Sequence, residues 1–377
     1  MYGYGSISFF TGLFYLILIL PSIKVVSVIN NNLKFFFPIF VFFIWLVLNS
    51  LININYFSSR FFDLAFFLNI IIFFAIVNHA RKDRMVLEKA LLGFAIGAIF
   101  TSILLFLGIG AEQTDEGLRA SRTTFFNSGP NEFGIKLVTG AVVIIAMFIQ
   151  DNLGLGKVRY FLAAFLPFVF FAILGTGSRT AILVMPLVPL TWLFFRVLAS
   201  KYKLLALSSG IIIVSAVLIP IIFFALQNQV VLDRIAYTAT GTGDFGTFGR
   251  FFLWAGFFNL LGENLFFGNG LSGFDLITFK YFGFVESPHN VFLEIMLYTG
   301  LLGLSIYLFF LYRIVYASYR LYKDEGRLLS ILLLPTILAY SMALQPLTEK
   351  ICWLAFAYIV GTYLYNKSLL GRVRQSK

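Results

Sequence analysis

Side chains able to do chemistry are few in this sequence, and their positions are informative. Among 377 residues there are 2 His and 1 Cys. The lone thiol, Cys352, excludes an intrachain disulfide and a multi-thiolate metal site. His79 stands beside Arg81, Lys82 and Arg84, the setting of an interfacial residue. His289 is different: it follows Ser287 and Pro288 and opens an apolar run. Ser287 as N-cap, with Pro288 at the first helical position, would start a helix there. The positive end of that helix disfavours a second positive charge, so a neutral ring able to accept a proton is expected. Asn290 follows directly, and Glu294 is an acid inside the apolar run, a functional candidate by default that Asn290 could instead satisfy. Arg119, Arg122, Arg179, Arg234 and Arg250 occur in turn-forming, Gly-rich contexts where a backbone approaches a ligand closely. A guanidinium fork matches phosphate oxygens, although Arg179 alone could serve a helix end structurally. Arg60, three residues before Asp63, and Lys136, four after Glu132, have the simpler reading of local ion pairs. No Gly-x-x-x-x-Gly-Lys-Ser/Thr, His-Glu-x-x-His or Asp-x-Asp occurs, so ATP hydrolysis, zinc proteolysis and metal-bound nucleotide sugars lack their parts. No metal and no cofactor is expected. Arginines plus one histidine suit an anionic, phosphate-bearing ligand.

The elements that must position these residues follow from composition. The chain is 60% hydrophobic and 12% charged, with a mean hydropathy of +0.91. A soluble domain carries about a quarter charged residues, so a soluble enzyme, a secreted disulfide scaffold and a disordered protein are excluded. The expected fold is an all-α polytopic membrane protein with about eleven transmembrane helices, or twelve if one more is missed. The spans are 7–23, 33–51, 61–78, 86–110, 131–150, 160–174, 180–195, 204–226, 289–311, 328–345 and 351–366. With the basic tail inside, the inner connections hold roughly two thirds of the 28 Lys and Arg but under a third of the 17 Asp and Glu. This positive-inside asymmetry accounts for the net charge of +11 without nucleic acid. It also places Arg119, Arg122, Arg179, Arg250 and His289 together on the outer side.

Residues 1–377 read as a single integral membrane domain. Three features interrupt it outside: the loop 111–130, the turn 175–180, and a large segment 227–288 between the eighth and ninth spans. Within the last, 251–261 is apolar but too short to cross, so a helix at the membrane surface is expected.

The stretch from Arg122 to Phe133, with Gly129-Pro130-Asn131, resembles a segment of bacterial O-antigen ligases and O-antigen polymerases. Thr176-Gly177-Ser178-Arg179-Thr180-Ala181 is similar to an Arg-bearing turn of that family. Gly249-Arg250, Trp254 and Glu263-Asn264 through Gly268 and Gly270 resemble a third element, with Leu265 where the family often has Pro. Ser287-Pro288-His289-Asn290 with Glu294, then Gly300 and Gly303, resemble a fourth. The four occur in order over about residues 119–303. The resemblance implies a membrane glycosyltransferase of the GT-C type at the bacterial inner membrane, its active site facing the periplasm or cell exterior. The donor would be an undecaprenyl-pyrophosphate-linked oligosaccharide and the partner an acceptor glycan or glycolipid, with a chain-length regulator as a further partner. Catalytic roles would fall to His289, Arg250 and Arg179, and substrate contacts to Arg122, Arg119, Asn131, Ser178, Asn290 and Glu294. A polymerase is the first reading and a ligase acting on a lipid A-core the second. A lipid-linked glycan flippase or transporter is the non-enzyme alternative, though no internal repeat points to one.

Overall fold

The computed structural model describes residues 14–19, 21, 25–52, 60–80, 83, 85–114, 122–125, 129–228, 232, 247–262, 264–283 and 287–375. Arg119, Arg234 and Glu263 lie outside them, and the side chains of Arg60, Asp63, Arg122 and Arg250 are likewise not described. After a helical stretch over 14–19, the chain forms α1 (Val25–Ile52), α2 (Arg60–Ala80) and α3 (Met85–Phe106). Two strands follow, β1 (Ala111–Thr114) and β2 (Arg122–Phe125), then α4 (Pro130–Ile149), α5 (Val158–Ala163), α6 (Leu166–Gly175), α7 (Arg179–Ala199) and α8 (Lys203–Gln227). The remainder is α9 (Thr247–Leu261), α10 (Gly270–Phe282), α11 (Val291–Glu325), α12 (Leu328–Ala343) and α13 (Lys350–Gln375).

The chain is a helical, polytopic membrane protein. Each of the eleven expected spans overlaps a described helix, and among the described residues seven helical stretches, α5 and α6 counted together as one, are long and apolar enough to cross a membrane. α8 makes the point most directly: Leu204, Leu205, Ile212 and Ile219 along it are all exposed, a surface suited to lipid and not to water. Several expectations need correction. The helical class omits a hairpin inside the loop 111–130, where Ala111 pairs with Phe125 and Thr114 with Arg122. Gly108 and Gly110, both at positive φ, turn the chain out of α3 into it. The sixth span is two short helices, because Pro167 has no amide to donate across the junction at Ala164 and Phe165. The ninth runs well beyond 311, to Glu325, where Arg320 and Asp324 pair one turn apart at 2.7 Å. α10 was not expected at all.

The chain divides into two compact units. One comprises 88–248 and 318–344. In it α4 packs on α6, α7 and α12, and α7 packs on α8 and α12. Gly140 lets α4 meet Ala98 closely, and Gly134 does the same at the turn before α7, where a Cβ would stand 2.9 Å from that of Ala181. Arg327 donates to the buried Glu88 at 2.9 Å, and Gln150 accepts from the Leu328 amide at 2.9 Å, fixing the α11–α12 turn. The Lys136–Glu132 pair read from the sequence is present.

The other unit comprises 1–87, 249–317 and 345–377. α1 packs on α2 and α10, and α2 on α13. Its core is aromatic: Phe42, Phe66, Phe73, Tyr307, Phe310, Trp353 and Phe356 are all fully buried. His79 sits beside Tyr15, ring against ring at 6.4 Å. The unit's most unusual element is a break inside α11. Gly300 has φ 67° and ψ −170°, a conformation essentially restricted to glycine. Into this break the loop 264–269 inserts its backbone. The Leu301 amide donates to the Leu265 carbonyl at 2.9 Å, and the Asn269 amide to the Leu297 carbonyl at 2.8 Å. Two more carbonyls freed by the break are met from α1: Trp45 donates to Thr299 O at 2.9 Å and Asn49 to Tyr298 O at 2.8 Å. Asn49 also donates to the Phe267 carbonyl. Unsatisfied backbone at membrane depth is costly, and this set of donors is why the interruption is tolerated.

Candidate functional site

In the first unit the candidates gather at the start of α7. Thr176 and Ser178 are fully buried, and Gly177 takes a positive φ of 56° that turns the chain. The Ser178 hydroxyl accepts from the Ala181 amide at 3.2 Å, capping α7 as the Ser-Arg-Thr-Ala spacing suggests. It also donates to Asn131 Oδ1 at 2.9 Å, so two separate sequence motifs meet in one hydrogen bond. Pro130 opens α4 at its first position, where the missing amide costs nothing, and sets Asn131 facing the turn. Arg179 is the first residue of α7 and is half-buried. A cation at a helix amino end works against the helix dipole. Arg122 lies in β2 opposite Thr114, its side chain not described, and Arg119 is outside the described residues.

The second unit holds His289, Asn290, Glu294 and the backbone of Arg250. The helix does not start at Ser287 as expected. α11 begins at Val291 and its cap is Asn290, whose Oδ1 accepts from the Phe292 amide at 3.0 Å and the Leu293 amide at 3.4 Å. Ser287 instead accepts from the His289 amide at 3.0 Å, closing a small turn. Within that turn His289 has φ 49°, the one non-glycine residue at positive φ among those described. Non-glycine residues held in this region concentrate at functional sites. Glu294, 1% exposed, is not satisfied by the Asn290 side chain, which is engaged in capping. Its carboxylate accepts from the Ser287 hydroxyl and from Gln345 Nε2 at 3.3 Å. Gln345 carries no signal in the sequence, because it lies 51 residues away with no local pattern linking the two. The Trp254 indole donates to the Pro288 carbonyl at 2.8 Å, tying α9 to the same turn. Arg250 stands one helical turn before Trp254.

The two clusters therefore belong to different units, and within each the motif residues do converge. The glycines of the third and fourth motifs have a separate role. A Cβ on Gly268 would lie 2.5 Å from the amide nitrogens of Gly300 and Thr299, and one on Gly270 2.9 Å from the Asn49 carbonyl. They build the inserted loop and need no ligand to explain them. Residues 161–308 match the family model described as O-Antigen ligase, a stretch holding Ser178, Arg179, Arg250, His289, Asn290 and Glu294 but not Arg119, Arg122 or Asn131. No curated protein matches the chain.

Proposed function

We propose that the chain, which matches the O-antigen ligase family model over residues 161–308, is a membrane glycosyltransferase. It moves a glycan from undecaprenyl pyrophosphate to an acceptor hydroxyl on the outer face of the bacterial inner membrane. The observation that carries this reading is the His289 turn, a strained backbone fixed by Ser287, capped by Asn290 and anchored through a buried acid. His289 takes the proton of the acceptor hydroxyl as its oxygen bonds to the anomeric carbon. The bond from that carbon to the pyrophosphate breaks, and the lipid pyrophosphate leaves with the electron pair. Arg250, in the same unit as His289, receives the developing charge, and Arg179, Arg122 and Arg119 bind or guide donor or acceptor. Ser178 and Asn131, bonded to each other, hold the turn that presents Arg179. Glu294 and Gln345 act on His289 through Ser287 and are positioning residues.

Polymerisation fits better than ligation. The outer segment 227–288 carries Arg234, Arg250 and Lys280 against Asp233, Asp244, Glu263, Asp275 and Glu286. A net acidic face is a poor match for a phosphorylated glycolipid core. The test is glycan length in a strain lacking the protein. Single repeat units attached to the acceptor are expected. Unattached lipid-linked polymer would assign a ligase, and donor trapped on the inner side would refute transfer in favour of a flippase.

A further inference from the structure

The unit built from α4, α6, α7, α8 and α12 contains a crevice that the proposed transfer does not use. Its volume is about 210 Å³, and its walls include Val138, Ile149, Met185, Val188, Ile213 and Leu332, with Trp192 at one end. Along α4 it extends from Ile149 to Val138, eleven residues, or about 16 Å of helix, the depth of one leaflet. At the Ile149 end it continues into a second, more open cavity, sharing Ile149, Trp192 and Leu328 with it. That cavity is lined by Arg196, Lys323, Ser200 and Tyr322, with no carboxylate among its lining residues.

The carboxylates nearby are engaged elsewhere: Asp324 with Arg320, and Glu88 and Glu325 with Arg327. Among the described residues neither Arg196 nor Lys323 has an ion pair. Arg196 is held in place by a 3.0 Å bond to Ser209 and by stacking on Trp192 at 5.0 Å. Lys323 is exposed at the rim, near the Tyr319 ring at 5.7 Å.

We propose that these contiguous cavities bind an anionic phospholipid, its phosphate between Arg196 and Lys323 and an acyl chain in the crevice against Trp192 and Val188. The geometry separates this lipid from the glycan donor. Arg179 and Arg196 stand at opposite ends of α7, seventeen residues or about 25 Å apart, so a phosphate at Arg196 is on the other membrane face from one at Arg179. Positive-inside logic makes the Arg196 face cytoplasmic, the side on which basic pockets between helices bind acidic lipid head groups. The proposal does not depend on the glycosyltransferase reading.

The experiment is native mass spectrometry of the purified full-length chain, titrated with phosphatidylglycerol and phosphatidylcholine of identical acyl chains. Near a membrane surface each cation is worth about fivefold in affinity, so the pair should favour phosphatidylglycerol by about thirtyfold. Arg196→Gln should reduce that preference about fivefold. Lys323→Glu, at an exposed position where folding is not at stake, should reduce it further, and Val188→Phe should weaken retention of both lipids by filling the crevice. Inorganic phosphate should not compete. Equal retention of the two lipids, an unchanged preference in Lys323→Glu, or displacement by inorganic phosphate would each overturn the proposal. Stronger retention of a polyprenyl phosphate, lost in the same variants, would overturn it too by reassigning the cavities to the donor lipid.

Discussion

Gly300→Ala is the sharpest test of the broken helix. At φ 67° and ψ −170° an alanine backbone costs about 1–3 kcal/mol, because its Cβ collides with its own chain. The new methyl would also be driven into the Phe266 carbonyl of the inserted loop. Forcing that loop aside costs a further ~1–3 kcal/mol, as overpacking does elsewhere. The total is about 2–6 kcal/mol. Gly283→Ala supplies the control. Gly283 ends α10 at φ 79° with open space where a Cβ would go, so only the conformational cost applies. That is about 1–2 kcal/mol, part of which the stiffer unfolded chain offsets. Equilibrium unfolding of the full chain in detergent by added denaturant should separate the two variants clearly, Gly300→Ala losing at least twice as much. Equal losses would mean that nothing occupies the break and that the hydrogen bonds from Leu301 and Asn269 do not form.

The proposed chemistry divides between two residues. Arg250→Lys keeps the charge but loses the fork, and turnover should fall about 10²–10³-fold with the protein still inserted. His289→Ala should lose about 10²–10⁴-fold in turnover while still binding a lipid-pyrophosphate analogue, and loss of that binding would reverse the assignment. For topology, Asp115→Cys and Asp244→Cys in a Cys352→Ala background should react with an impermeant thiol reagent added outside, whereas Leu155→Cys and Lys323→Cys should not. The opposite pattern inverts the chain in the membrane. Transfer should persist in excess EDTA, and activity lost there but restored by Mg²⁺ would return a metal to the mechanism.

What the sequence makes legible is whatever depends on neighbours along the chain. Apolar length yields the spans, because each is a run of neighbouring residues. Lys136 finds Glu132 for the same reason. α11 starts a few residues later than the sequence suggests because Ser287 and Asn290 are both good caps, and only the Pro288 turn decides between them. The break at Gly300 left no local trace, since a lone glycine in an apolar run is ordinary in a membrane helix. Its cause lies in Leu265, Phe266 and Asn269, and in Trp45 and Asn49 more than 200 residues earlier. The bonds from Ser178 to Asn131 and from Ser287 to Glu294 leave no such signal either, because each joins side chains whose pairing no local spacing announces.

Those long sequence separations set a clock on biosynthesis. Asn49 leaves the ribosome 218 residues before Phe267 and 249 before Tyr298, the two residues whose carbonyls it serves. At about 5–20 residues per second, α1 waits roughly ten to fifty seconds in the bilayer with a polar amide exposed to lipid. Asn69 waits longer, since its acceptor Leu347 is 278 residues downstream. The unit built on α1 and α2 thus cannot close until translation is nearly finished, while the stretch 88–248 emerges in between. A nascent chain of this kind needs its early helices sheltered by the insertion machinery or by transient contacts. Chains ending before residue 345 leave Asn69 and Glu294 permanently short of partners, marking them for membrane quality control.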